Sequence, residues 1–173
     1  YLMSSVVEEK TNRLMEILIT SVTPFQLLTG KILGLGALGL MQLAVWLTAF
    51  VLVLSFGQAL PFLQGVTLPI DMIVLGLIYF TLAYFLFSSI MAGIGAVVGT
   101  EAESRQYSSI FSLVTVIPFF LIISFFTDPN GPVVTFLTLF PFTSPISVIM
   151  RVAWGSMPIE QIILSIAILL VTT

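Results

Sequence analysis

The chain has 173 residues, of which 58% are hydrophobic and only 8% charged, with a formal net charge of −3. Soluble domains carry about 25% charged residues, so this composition excludes a water-soluble domain and predicts an integral membrane protein. Five basic residues in all cannot form a nucleic-acid-binding patch. Because the sequence contains no cysteine or histidine, disulfides, Cys/His zinc sites and Ser–His or Cys–His nucleophile pairs are also excluded.

The first segments differ sharply in polarity. Residues 1–7 are expected to be the end of a truncated transmembrane helix, and residues 8–23 a cytoplasmic amphipathic helix. Glu9, Arg13 and Glu16 fall on one narrow stripe at 100° per residue, while leucine, isoleucine and methionine cover the opposite side. A helix with this pattern lies in the membrane interface and does not cross it.

Residues 24–56 are predicted to form a transmembrane helix with a well-marked start. Thr23 and Gln26 have the spacing of a capping box, and Pro24 suits the first helical position. Lys31 precedes 25 residues without a charge, which exceeds the roughly 20 needed to span a bilayer. Small residues along this helix favour close packing against a neighbour, namely Gly30, Gly34, Gly36 and Gly39.

The middle of the chain is predicted to be a loop, a span, a loop and a span. Residues 57–71 form an extracytoplasmic loop, and 72–99 a transmembrane helix. Residues 100–107 form a cytoplasmic loop that carries Glu101, Glu103 and Arg105, and 108–127 form a further span with a kink at Pro118. Four of the five basic residues then fall on one side, which we expect to be the cytoplasm.

Residues 128–159 are predicted to be an extracytoplasmic re-entrant segment, and 160–173 the start of a final span. Prolines leave only 133–140 uninterrupted, about 12 Å of helix, which is too short to cross a core of roughly 30 Å. We therefore expect a pair of short helices and a return of Arg151 to the interface. The alternative is that 129–150 is a span, which charge distribution mildly favours. No charged residue is expected deep within a span.

The charged segment near the start also resembles a known signature. Its residues are Glu8-Glu9-Lys10, Asn12-Arg13, Glu16-Ile17-Leu18, Ser21, Pro24, Leu27-Leu28 and Gly30-Lys31. Together they resemble the cytoplasmic signature of type-2 ABC exporter permeases, in the branch that includes sodium-efflux permeases and drug or antibiotic exporters. The order of spans in the rest of the chain is similar to that of these permeases.

The resemblance implies an all-α, polytopic membrane protein, represented by a C-terminal fragment with about four transmembrane helices, the first and last truncated. It implies that the signature is a coupling helix docked on a separate ATPase subunit. Glu8, Glu9, Arg13 and Glu16 would make that contact, and Pro24 and Lys31 would set where the next span enters the membrane. A second permease copy or a paralogue would complete the unit.

The sequence lacks a phosphate-binding loop, so we expect no enzymatic activity or cofactor in this chain, with ATP and magnesium held by the partner. The expected location is the cytoplasmic membrane of a bacterium or archaeon. The expected function is ATP-driven efflux, and the sequence does not distinguish among sodium, a drug, a peptide and a lipid as the substrate. An ATPase-independent transporter or channel, or a membrane anchoring subunit, remains the alternative.

Overall fold

The computed structural model describes Met3, Val6, Val7 and residues 22–56, 69–154 and 157–173. Within these ranges every regular element is a helix, which confirms the predicted all-α class. The helices are α1 (Pro24–Phe56), α2 (Ile70–Val97), α3 (Glu101–Phe120), α4 (Ile122–Thr127), α5 (Pro132–Leu139), α6 (Ser144–Trp154) and α7 (Ile159–Thr172). Met3, Val6 and Val7 are also helical.

Three helical stretches are long and apolar enough to cross a membrane. They cover Phe25–Phe56, Ile70–Val97 and Ala102–Thr127, the last combining α3 and α4. Each exceeds the roughly 20 residues that a bilayer core requires. The structure is therefore that of a polytopic helical membrane protein.

The start of α1 follows the capping pattern predicted from its sequence. The Gln26 amide donates to Thr23 Oγ1 at 3.3 Å, and the Thr23 amide donates to Gln26 Oε1 at 3.0 Å. These two bonds satisfy amides that a helix start leaves without a partner. The prediction of a capping box at this position is confirmed.

Two of the four predicted packing glycines of α1 contact α2. A Cβ atom at Gly36 would lie 2.9 Å from the Tyr84 ring, and one at Gly39 would lie 3.2 Å from the Phe80 ring. The Tyr84 hydroxyl also donates to a carbonyl of α1, that of Ile32. A Cβ atom at Gly30 or Gly34 would have no neighbour within 4 Å, so only half of the small-residue side is used for packing between the described helices.

The main core lies where α2, α6 and α7 meet. Its buried residues are Tyr79, Leu86, Val148, Met157 and Leu169. A second buried cluster joins α4, α5 and α6 through Phe125, Val134, Leu137 and Met150. Since α6 contributes to both clusters, this 11-residue helix connects the long helices to the shorter ones.

The prediction of a loop at 100–107 is wrong in its secondary structure, because α3 already begins at Glu101. Thr100 caps the helix, and its Oγ1 accepts a hydrogen bond from the Glu103 amide at 3.3 Å. The polar residues that suggested a loop are thus the first turns of a helix. The connection from α2 is correspondingly short, from Val98 to Thr100.

The regular helix is interrupted close to Pro118, where the sequence predicts a kink. Pro118 stays within α3, and the regular helix breaks three residues later at Leu121, whose φ and ψ are −100° and 18°. Proline cannot donate a hydrogen bond to the preceding turn, so it weakens the helix around it without fixing the residue at which the helix breaks. The short helix α4 resumes at Ile122.

The segment between α4 and α7 contains two short helices, α5 with 8 residues and α6 with 11. The turn between them points into the bundle, because the Phe142 ring lies 6.0 Å from Phe87 of α2 and 5.9 Å from Phe111 of α3. At the other end of the pair, Trp154 lies 4.4 Å from Phe126 of α4. α5 and α6 therefore form a helical hairpin. That this hairpin is a re-entrant segment on the outer side of the membrane stays a prediction.

Candidate functional site

The predicted coupling residues lie largely outside the part of the chain that the structure describes. Glu8, Glu9, Arg13 and Glu16 belong to this group, so the coupling helix at 8–23 stays a prediction. Of the two remaining coupling residues, Pro24 begins α1, and Lys31 lies two turns into it and is half-buried.

The residues directly before this segment are firmly packed. Met3 and Val7 are buried together with Val98, at the end of α2. The Met3 carbonyl oxygen lies 3.3 Å from the position that a Cβ atom would take on Gly95, so a larger residue here would push Met3 away from α2. The Ser108 hydroxyl of α3 donates to Met3 Sδ at 3.5 Å. The chain therefore enters the predicted coupling segment from the corner between α2 and α3.

The three residues predicted in the loop at 100–107 lie at this same corner. Glu103 closes it, because its Oε2 accepts a hydrogen bond from the Gly99 amide at 3.3 Å. Glu101 is the first residue of α3, and Arg105 is exposed on the second turn. The observed role of Glu103 is therefore helix capping.

Arg151 forms a site that was not predicted from the sequence. The side chain was expected at the interface, but it is fully buried. Its Nη1 donates to Gln161 Oε1 of α7 at 2.6 Å and to Thr138 Oγ1 of α5 at 3.3 Å. Its Nη2 donates to Asn130 Oδ1 at 2.7 Å. One guanidinium thus joins α5, α6, α7 and the turn before α5, just beneath the exposed Asn130.

All of these acceptors are neutral. Burial lowers the pKa of the Arg151 guanidinium, but arginine stays protonated in proteins, so the site holds a positive charge. Arg151 Nε and the Ser144 and Ser147 hydroxyls are buried without a hydrogen-bond partner among the described residues. These three groups all belong to α6. A fourth such group among the described residues is the Ser104 hydroxyl of α3, and buried groups of this kind in native structures usually bind ordered water or another polar partner.

This cluster could not be predicted from hydropathy. By hydropathy an arginine is expected at a helix end near water, whereas the acceptors that bury Arg151 lie 10 to 21 residues away in sequence. The available signal was compositional. The amides Asn130 and Gln161 lie on either side of residues 131–159, where Arg151 is the single charge.

A partly open cavity of about 470 Å³ lies between α1, α2, α3 and α6. Its lining is almost wholly apolar and includes Leu47, Phe80, Phe87 and Ile149. Its two hydroxyls are engaged within the protein. Tyr79 bonds to Ser165 and to the Ile162 carbonyl, and Thr115 donates to a carbonyl of its own helix at 2.9 Å.

Comparison with known proteins places the chain in a family. Residues 1–173 match the family described as ABC-2 family transporter protein. The chain is 31% identical over 172 residues to an uncharacterized protein, MJ1024, of Methanocaldococcus jannaschii, covering 99% of this chain and 41% of that protein. It is 30% identical over 174 residues to the uncharacterized protein YhaP of Bacillus subtilis, covering 96% of this chain and 42% of that protein.

The chain thus spans about two fifths of the length of these curated relatives. No solved structure matches it significantly. The family match extends over the whole chain and agrees with the three long apolar helices of the fold. This chain belongs to the ABC-2 family of transporter proteins, and it is part of a multi-pass membrane protein.

Proposed function

We propose that the chain is part of the permease subunit of an ABC-type exporter, in which a separate ATPase subunit drives efflux across the cytoplasmic membrane. The observation that carries the proposal is the packing of Met3 and Val7 at the corner between α2 and α3. Residues 8–23, which resemble a coupling helix, follow directly from this corner. Their far end joins the capped start of α1.

Both flanks of the proposed coupling helix are therefore attached to membrane helices. A displacement of this helix by a nucleotide-driven movement of the ATPase would act on α1 through its first turn. It would act on α2 and α3 through the buried Met3 and Val7. Stiff helices held at packed contacts move as units, so such a displacement can open one side of a transport path and close the other.

The partners in this proposal follow from the family. ATP and magnesium would be bound by the ATPase subunit, and a second permease copy or a paralogue would complete the membrane part. The most apolar stretch of α1 has no buried residue within the described structure. Its exposed surface is therefore available to a further helical partner or to lipid. Relatives in a bacterium and an archaeon are consistent with a prokaryotic cytoplasmic membrane.

The test uses the full-length permease co-expressed with its candidate ATPase. We expect wild type to co-purify with the ATPase and to change its rate of ATP hydrolysis. A Glu9→Ala/Arg13→Ala/Glu16→Ala variant should lose both properties while still inserting normally. An Asp71→Ala/Glu160→Ala variant, which removes exposed carboxylates from the predicted outer side, is the matched control and should keep both. If the first variant and the control behave alike, the coupling proposal fails.

The alternative is a transporter that works without an ATPase. One observation favours it, namely the buried charge of Arg151, since ionisable groups inside membrane proteins often line transport pathways. This alternative predicts substrate transport by the purified permease alone. Transport that requires the ATPase and ATP would exclude it.

A further inference from the structure

The cavity between α1, α2, α3 and α6 has the size and lining of a binding site for an apolar small molecule. Its volume of about 470 Å³ lies within the roughly 300–1,000 Å³ that is usual for such sites. Aromatic and aliphatic side chains supply the walls. The hydroxyls of Tyr79 and Thr115 both bond within the protein. A ligand in this cavity is therefore held by apolar contact.

A metal cation would find no suitable ligands there. Hard cations bind to several oxygen atoms, commonly carboxylates, carbonyls and water. The described lining contains no charged side chain. In the described part of the chain, no group of three or more His, Cys, Asp or Glu side chains is arranged to hold a metal. Transfer of an unligated ion into such a cavity would carry a large desolvation cost.

Arg151 adds an electrostatic preference. Ile149 lines the cavity, and Arg151 follows it by two residues, which is about 200° around α6 and so on its opposite face. The guanidinium is separated from the cavity by the helix, about 10 Å across. Its acceptors are neutral, and no described carboxylate pairs with it. A buried positive charge that forms no ion pair with a described carboxylate attracts anions and repels cations over this distance.

We propose that this cavity binds the apolar body of the transported substrate, and that Arg151 selects substrates that are uncharged or anionic over cationic ones. Arg151 is then a specificity-determining residue that acts through its field and does not contact the ligand. The proposal rests on the permease function proposed above. It restricts the candidate substrates of that permease to hydrophobic or anionic amphipathic molecules. Sodium is not bound at this site.

The test measures ligand binding by protection of a single thiol, which requires no ATPase. The sequence has no cysteine, so Ile149→Cys introduces a reporter in the cavity when any cysteine elsewhere in the full-length permease is replaced. The rate of its modification by benzyl methanethiosulfonate is measured in nanodiscs. Three probes with the same ten-carbon tail are compared, namely decanol, decanoate and decyltrimethylammonium. Ile146→Cys, at a second lining position, serves if Ile149→Cys does not fold.

We expect decanol and decanoate to slow the modification, and the concentration of decyltrimethylammonium needed for equal protection to be at least about fivefold higher than that of decanoate. Adding Arg151→Gln should remove this preference while leaving protection by decanol. Leu113→Cys, on an exposed part of α3 outside the cavity lining, should show no probe-specific protection.

Equal protection by decanoate and decyltrimethylammonium would overturn the role of Arg151. A thiol that no probe protects, or that the reagent cannot reach, would show that lipid or another helix occupies the cavity, and would overturn the site itself. Because the assay contains no ATPase, these outcomes are separate from a failure of the proposed coupling. A selective cavity in a permease that binds no ATPase would leave the site intact and refute the exporter function.

Discussion

Gly95 offers a direct way to perturb the corner from which the proposed coupling helix starts. A Cβ atom at this position would lie 3.3 Å from the Met3 carbonyl oxygen and 3.4 Å from Val6 Cβ. Valine adds two methyl groups beyond that atom, so Gly95→Val must displace Met3 and Val6 from α2. Overpacking of this kind costs about 1–3 kcal/mol. This corresponds to roughly a 5- to 150-fold change in the equilibrium constant for packing of Met3 and Val6 against α2.

Gly93 supplies a matched control in the same helix. It is also helical, but no atom lies within 4 Å of a Cβ at this position. Valine has a helix propensity a few tenths of a kcal/mol better than that of glycine, so Gly93→Val should be neutral or slightly stabilising. Both variants would be purified as full-length permease, and their thermal stability and stimulation of the ATPase compared with wild type.

We expect Gly95→Val to lose at least about fivefold in ATPase stimulation while membrane insertion stays normal, and Gly93→Val to resemble wild type. Equal stimulation by the two variants would refute the idea that the corner transmits motion to the coupling segment. Equal loss in both would show that bulk anywhere at this end of α2 is harmful, and that the contact with Met3 has no special part in it.

Three further predictions concern α1, Arg151 and the start of α3. Gly36→Leu should weaken the packing of α1 on α2 by about 1–3 kcal/mol, because the Tyr84 ring fills the space beside Gly36. Gly34→Leu is the control and should be tolerated, because a Cβ atom at Gly34 has no neighbour within 4 Å. The two variants would be compared by disulfide cross-linking between the helices or by thermal stability in detergent. Arg151→Met should destabilise the protein by about 2–4 kcal/mol, since it leaves three acceptors without their donor. A melting temperature equal to that of wild type would contradict this, because it would show that the free-energy cost of burying the charge equals the stabilisation from its hydrogen bonds. Thr100→Ala should cost about 1 kcal/mol of helix-end stability, measured as faster hydrogen exchange in the first turn of α3. Ser109→Ala is the control and should change exchange little, because the Ser109 hydroxyl bonds to a carbonyl of its own helix. Similar exchange in the two variants would contradict the capping assignment.

The long spans could be predicted from the sequence because hydropathy is summed over many residues. The uncharged runs 32–56 and 72–98 correspond closely to α1 and α2. The start of α1 was also predictable, because a capping box is a local pattern whose partners lie three residues apart. The same pattern occurs at Thr100 and Glu103, but the polar composition around it suggested a loop.

The Arg151 cluster could not be predicted in this way. A hydropathy profile shows where a charge lies along the chain, and it does not show which distant side chains fold over it. Asn130, Thr138 and Gln161 come together only because α5 and α6 form a hairpin against α7. The cavity depends on the same packing. Its walls come from four helices, and no single stretch of sequence carries its shape.

The central claim is that residues 8–23 contact an ATPase, and site-specific photo-cross-linking tests it most directly. A photoreactive p-benzoylphenylalanine would replace Arg13 in the full-length permease, and Glu160 in a control, each co-expressed with the candidate ATPase. We predict a cross-linked permease–ATPase product from the Arg13 position and none from the Glu160 position. A permease that forms no product from the Arg13 position, or forms it equally from both, would contradict the coupling function.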